Sequence, residues 1–232
     1  MMTYTTTFHP SQELISAFAN GELSPGMSVA LSAHVDLCET CQSQASEMEV
    51  KAIAAWGLTA DEAPAADFSD MISAIVKQPQ SKLEEARGAY LAHEMHMVSH
   101  SVVLPRVLAK AASEGLVWKK LSGGINQASV KLDDETQCEF IYMTPGSQVP
   151  VHKHQGSEVT LVLDGSFSDE LGHYRASDFV VRTKEHMHRP ASDEGCLCFA
   201  VLDSPLTFTK GLARLMNPFL EYKFRKSVGQ RA

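Results

Sequence analysis

No run of apolar residues in this 232-residue chain approaches the roughly 20 that a membrane-spanning helix requires. The opening stretch, Met1-Met-Thr-Tyr-Thr-Thr-Thr-Phe-His9, lacks the basic start and apolar segment of a signal peptide. These absences set the expectation of a cytoplasmic protein without membrane attachment. Positive charge is scarce as well: 20 Lys and Arg face 28 Asp and Glu, for a net charge of −8. Phosphate contact needs clustered Lys and Arg, so direct nucleic-acid binding is disfavoured, whereas a basic protein partner is not. Five cysteines in such a chain point to metal or redox chemistry more than to a disulfide framework. Internal repeats and low-complexity segments are missing too. What is present, 44% apolar and 21% charged residues, is the balance of a globular protein with room for one large domain or two small ones.

Residues 1–80 read as four helices. Pro10 suits a first helical position, and Leu14, Ile15, Phe18 and Ala19 form an apolar stripe that stops at Asn20-Gly21. Ser24-Pro25 starts a second helix with Val29, Ala30, Ala33 and Leu37 inward. A third runs from about Glu39 to Trp56, with Cys41, Ala45, Met48, Ala52 and Trp56 near one face and Gly57 as its stop. After a loop over residues 58–66, Asp67 caps a fourth helix in which Phe68, Met71, Ile72, Ile75 and Val76 fall at i, i+3, i+4, i+7 and i+8. So amphipathic a helix is expected to pack on its neighbours or on a partner. Residues 81–113 read as a linker with at least one helix, placed by the pattern ahead of Pro105.

From residue 114 to 232 the pattern changes to short strands spaced by Gly, Pro, Asp and Ser, as in a sandwich or barrel. Gly146 to Gly165 is its most informative stretch. Residues i and i+2 of a strand face the same way, so His152 and His154 point into one space with Lys153 turned out. Glu158 follows a Gln-Gly-Ser turn and opens the apolar run Val159–Leu163, which predicts a hairpin bringing a carboxylate beside two imidazoles.

Gly146-x5-His152-x-His154-x3-Glu158-x6-Gly165 resembles the first motif of the cupin family at every defining position. Ser177-Asp178 through His188 resembles its second motif, with Thr183 and Glu185 where the family usually has proline and glycine. The resemblance spans roughly residues 115–210. It implies an all-β cupin domain, a double-stranded β-helix or jelly-roll barrel, with His188 as fourth metal ligand. His186 would also face inward on an extended strand, and motif register favours His188. Three imidazoles and a carboxylate suit Zn²⁺, and also Mn²⁺ or Fe²⁺, since geometry and availability decide among them. Cys196 and Cys198 put two thiols on one face of the barrel. They are either two small buried residues or a pair open to oxidation or to a rearranged metal site. Cys138 reads as core.

The first half holds a second constellation, His34-x3-Cys38-x2-Cys41. His34 and Cys38 stand at i and i+4 at the end of the second helix, and Cys41 opens the third. A structural zinc site wants a fourth ligand, and His9 is the only other histidine in the first ninety residues. A core of ~80 residues is marginal, and Zn²⁺ would pin the first helix to the hairpin of the next two. The set resembles the zinc-binding anti-sigma domain, a four-helix module that sequesters a sigma factor of the extracytoplasmic-function group.

An anti-sigma module followed by a cupin resembles the ChrR-type anti-sigma factors over nearly the whole chain. The resemblance implies a non-enzymatic regulator that holds a group-IV sigma factor in the cytoplasm as a 1:1 heterodimer. It further implies zinc in both domains, and a cupin needed for release when singlet oxygen or related oxidants appear. On this reading residues 1–80 are the zinc-binding anti-sigma domain, 81–113 the linker and 114–232 the cupin sensor. The rival is a metal-dependent cupin enzyme, dioxygenase- or isomerase-like, whose N-terminal zinc module serves assembly. An enzyme needs a pocket of convergent polar groups, for which Tyr142, Arg182 and Glu185 are the candidates. His93, His96 and His100, at i, i+3 and i+7, read as a solvated helix face in the linker.

Overall fold

The computed structural model describes residues 6–57, 67–78, 94–96, 101–113 and 115–229. Four helices come first: α1 (Gln12–Ala19), α2 (Pro25–Leu37), α3 (Glu39–Gly57) and α4 (Ser69–Lys77). Ser11 caps α1, its hydroxyl accepting the Leu14 N–H at 3.3 Å, so Pro10 precedes the helix instead of opening it. At the far end the Gly21 and Glu22 amides return to the carbonyls of Phe18 and Ala17, with Gly21 at φ 70, where glycine carries no Cβ penalty.

α2 opens at Ser24-Pro25 as expected, yet its buried face is Gly26, Ala30, Leu31, Ala33 and His34, and Leu37 is exposed. The face is rotated because α2 packs from two sides, against α1 and α3 and against the β-structure that follows. α3 turns Cys41 and Ala45 inward with Met48 partly covered. At α4 the Asp67 carboxylate accepts the Ser69 N–H at 2.9 Å. Its apolar face finds no cover among the described residues: Phe68, Met71, Ile72, Ile75 and Val76 are between 47% and 70% exposed.

Of the stretch read as a linker, residues 81–93 and 97–100 lie outside the described residues, and the helix expected ahead of Pro105 falls largely on them. Where the chain is described, β1 (Glu94–His96) pairs antiparallel with β2 (Ser101–Val103), and α5 (Arg106–Ala112) follows Pro105. Met95 and Val102 stand opposite each other in this pair and are both buried, and a residue before proline avoids the helical region. The helical stripe of His93, His96 and His100 is thereby overturned where the chain is described. His93, His100 and the loop over 58–66 lie outside the described residues. Leu104 and Leu108 join Met95 and Val102 in the main core.

The rest is all-β until its end. The strands are β3 (Lys119–Lys120), β4 (Ile125–Val130), β5 (Gln137–Met143), β6 (Ser147–Gln148), β7 (His152–His154) and β8 (Glu158–Asp169). β9 (Gly172–Arg175), β10 (Phe179–Arg182), β11 (Met187–His188), β12 (Ala191–Ser192), β13 (Cys196–Leu202) and β14 (Leu206–Phe208) follow. One sheet has the order β3-β4-β5-β13-β8-β12-β6, with β9 and β10 also on β8, and the other is β11-β7-β14. Every pairing is antiparallel, and the two layers make the jelly roll implied by the motifs.

One expectation fails here. β7 pairs with β11 and β14, whereas β8 lies in the other sheet, so His152–Glu158 is a crossing between sheets and not a hairpin. β13 sits between β5 and β8 with all seven residues buried. Leu197, Phe199 and Val201 face the core shared with α2, while Cys196 and Cys198 face the barrel interior. A closing helix that the sequence reading did not anticipate, α6 (Asn217–Ser227), lays Phe224 against Ala200 and Leu202.

α2 approaches the barrel tightly at Gly26, where a Cβ would stand 2.2 Å from Thr136 Oγ1 and 2.7 Å from Cys138 Sγ. Gly26→Ala should therefore destabilise the chain by about 1–3 kcal/mol through overpacking. Urea denaturation checks this, and an unchanged midpoint would show that the helix and barrel are not in tight contact there.

Candidate metal centres

Four side chains meet where α1, α2 and α3 converge. His34 ends α2, Cys38 is its C-cap residue in an extended conformation (φ −127, ψ 105), and Cys41 lies in the first turn of α3. The cap reverses the chain so that both thiols face His34. His9 arrives from the segment before α1, its Nδ1 3.3 Å from Cys41 Sγ and 3.5 Å from Cys38 Sγ. Ligand-competent atoms of all four lie within 4.8 Å of one another.

Neither ring nitrogen of the fully buried His34 has a partner of hydrogen-bond geometry. Burial, then the charge on His9, pushes the His34 pKa down to about 4, against weaker opposition from the Ser177 backbone and Asp178. Burial and the adjacent Cys38 push the Cys41 thiol up to about 12. Two buried thiols and the buried His34 crowd together with the exposed His9, a donor set without a cation between its members. Zn²⁺ supplies one, with the soft donors and tetrahedral number it favours.

The second cluster occupies the barrel interior. β7 turns His152 and His154 inward and Lys153 out. β11 lies beside β7 with His188 directly opposite His152, and Glu158 begins β8 across the layer gap. All four are buried, with atoms again within 4.8 Å of one another. His154 Nε2 is 3.1 Å from His188 Nε2 and 3.0 Å from Glu158 Oε2. His152 Nδ1 meets the Pro150 carbonyl at 2.9 Å, which leaves Nε2 for the cluster. Burial, then the charge on His188, lowers the His152 pKa to about 4. For Glu158 burial works upward, but the His154 hydrogen bond and the charges on His154, His152 and His188 outweigh it and hold the pKa at about 2.

His188 is oriented from behind by a residue the sequence reading missed. Asp169 Oδ2 lies 3.0 Å from His188 Nδ1 and 2.9 Å from Arg182 Nη2, while Asp169 Oδ1 accepts the Tyr174 hydroxyl at 3.1 Å. Tyr174 and Arg182 also contact each other. A carboxylate behind a ligating imidazole fixes its tautomer and raises its basicity. Asp169 is also a turn residue, accepting the amides of Leu171 and Gly172. No periodic signal announces its second task.

Of the other sequence candidates, His186 is occupied elsewhere. Its Nδ1 accepts the Thr183 N–H at 3.1 Å and its own amide returns to the Thr183 carbonyl, closing the turn where the family has proline and glycine. Arg182 lines the cavity of ≈ 90 Å³ above the cluster, whereas Tyr142 packs on the main core and Glu185 is exposed. Cys196 and Cys198 are buried with their sulfurs 3.9 Å apart, and Cys198 also lines the cavity. Cys138 is buried, as expected of core.

Comparison with known proteins agrees with this architecture. A family described as a putative zinc-finger matches residues 11–42, and one described as the ChrR cupin-like domain matches residues 109–204. The anti-sigma-E factor ChrR of Cereibacter sphaeroides is 30% identical over 217 residues, 93% of this chain and 98% of that protein. The crystal structure of Rhodobacter sphaeroides SigE in complex with the anti-sigma ChrR matches at TM-score 0.64 and 26% identity, covering 86% of this chain and 100% of that one. The zinc-finger match spans His34, Cys38 and Cys41, and with His9 beside them the helical cluster fits one zinc site.

Two outcomes follow from this geometry. Asp169→Asn should weaken metal retention by the barrel cluster roughly 10–100-fold, read by chelator competition, because the amide cannot serve the His188 imidazole as the carboxylate does. Unaltered retention would show that Asp169 acts only in its turn. The second concerns acid. His34 and His152 stay neutral in the folded metal-free chain, while the unfolded chain takes up their protons below their ordinary value of 6.5. Metal-stripped protein should lose stability as pH falls from about 6.5 towards 4, with Glu158 adding to the loss below about 4.5. Denaturation midpoints across that range provide the check, and a flat profile contradicts it.

Proposed function

Since the chain belongs to the ChrR family of anti-sigma factors, we propose that it sequesters an extracytoplasmic-function sigma factor of group IV in the cytoplasm, as a 1:1 heterodimer. It is a regulator and not an enzyme. The observation that carries this reading is the face of α4 left uncovered among the described residues, four large apolar side chains on one side of a nine-residue helix with Phe68 at its N-cap. Among the described residues nothing covers this face, so a partner groove is what it suits, and the SigE–ChrR complex is the precedent for the partner. In the division of labour we propose, residues 1–80 hold sigma, 81–113 connect and 114–232 sense. His9, His34, Cys38 and Cys41 bind the structural zinc of the first part.

The barrel cluster, His152, His154, Glu158 and His188, would hold the second metal, for which Zn²⁺ is our choice and Mn²⁺ or Fe²⁺ satisfy the same donors. A metal there would join strands of both sheets through β7, β8 and β11 and so tie the barrel's shape to the integrity of its ligands. We propose that singlet oxygen or a related oxidant alters this cluster or the neighbouring Cys196–Cys198 pair and shifts the complex towards release.

Co-expression with an extracytoplasmic-function sigma factor of the same genome tests both halves. Met71→Asp with Ile75→Asp should weaken capture by roughly 30-fold or more, as expected for loss of an apolar anchor at an interface centre. His152→Ala should capture normally and keep sigma bound under oxidant. Wild-type capture by the α4 variant would remove α4 from the interface, and wild-type release by His152→Ala would remove the barrel cluster from sensing.

A further inference from the structure

The segment ahead of α1 belongs to the helical part by sequence and to the barrel by contact. The Thr7 and Phe8 amides both donate to Asp178 Oδ1, at 2.7 and 3.0 Å, and the Phe179 amide returns to the Phe8 carbonyl at 2.9 Å. Asp178 is 1% exposed, and its other oxygen accepts the Arg175 N–H at 2.9 Å. Two of the three amides that solvate this buried carboxylate therefore come from a segment some 170 residues away. The Phe8 ring packs on Tyr174, with centroids 4.8 Å apart, among the residues of the barrel interior.

The next residue is His9. It is exposed, so burial does not order it, yet its imidazole must stay on two thiols. Holding the backbone at Thr7 and Phe8 removes in advance much of the freedom that His9 would lose on binding metal.

We propose that Thr7–His9 is a strap through which the barrel governs the helical zinc site, with Asp178 as its positioning residue. The proposal rests on reading His9, His34, Cys38 and Cys41 as zinc ligands and the barrel as the sensor. The contacts are continuous. His188 of the barrel cluster is held by Asp169, Asp169 by Tyr174 and Arg182, and Tyr174 carries Phe8. β10 runs in parallel to this chain of contacts: its last residue, Arg182, binds Asp169, and its first, Phe179, holds Phe8 and presents its ring to His34 at 5.4 Å. Displacement of His188 from Asp169 loosens the seat of Phe8 and lets His9 leave the thiols. The helical module then loosens without any chemistry at its own cysteines.

The test uses the full chain loaded with Co²⁺. A thiolate-to-cobalt charge-transfer band reports the helical site, because the four barrel side chains contain no sulfur. Its decay under excess chelator gives the rate of metal loss. Phe8→Ala, which touches no metal ligand, should speed the decay about tenfold, and Asp178→Asn similarly, with Phe8→Leu restoring most of the retention. His188→Ala should also speed the decay, but should add little on top of Phe8→Ala, since both cut one line of contacts. Wild-type decay in Phe8→Ala and Asp178→Asn, or full additivity of His188→Ala with Phe8→Ala, would overturn the strap. If the band never forms, the zinc reading itself fails. Sigma capture plays no part in the measurement, so the two proposals stand or fall separately.

Discussion

Lone pairs that converge on a buried point repel one another unless something positive stands between them, and both halves of this molecule are built around such a point. In the helical half two thiols and two imidazoles crowd together, with His34 left without a hydrogen-bond partner on either nitrogen. In the barrel three imidazoles and a carboxylate do the same, with His154 and His188 turning their Nε2 atoms towards each other at 3.1 Å. Burying polar groups in this way is costly unless they are satisfied. A cation at either point would satisfy several donors at once, and the surrounding strands and helix ends hold the donors in place.

The two halves are not independent bodies joined by a thread. α2 is a shared wall: Ala30, Leu31 and Ala33 pack in the same core as Phe140, Leu161 and Phe199 of the barrel. β1, β2 and α5 contribute Met95, Val102, Leu104 and Leu108 to that core. His34 itself stands edge-on to Phe179, the first residue of β10. A change in the barrel thus reaches the helical site through packed side chains, which tolerate two arrangements better than a continuum of them. α4 is the exception among the described helices. It is amphipathic, and no apolar surface among the described residues covers it.

Much of the architecture was legible because it depends on short spacings. The period of two that puts His152 and His154 on one side of a strand, and the i, i+4 spacing of His34 and Cys38, are local geometry and appear as read. Glu158 does reach His154, yet by a crossing between two sheets and not by the hairpin the Gln-Gly-Ser turn suggested. A turn signal reports a reversal of direction and says nothing about which strand lies alongside afterwards. Leu37 and Leu31 exchanged roles for a related reason: a helical stripe predicts one buried face, and α2 has a second neighbour. The stretch before Pro105 read as helix from its Glu, Ala and Met content, and over residues 94–96 and 101–103 the pairing of buried Met95 and Val102 overrides that weak preference.

By itself, then, the sequence determined the class of each half, the residue types gathered in each cluster and which of them share a face, since these follow from backbone periods of 2 and 3.6 and from the chemistry of Cys, His and Glu. It could not determine what stands behind the ligands. Asp169 is in place to hold His188 because β8 bends at Gly165 (φ 69) and returns its far end to the cavity. Asp178 meets Thr7 across 171 positions of chain, and Phe8 finds Tyr174. Such contacts carry no spacing and no composition. They exist only once the sheets have closed and α2 has been laid against them, because closure in three dimensions, not order along the chain, sets which buried groups must satisfy one another.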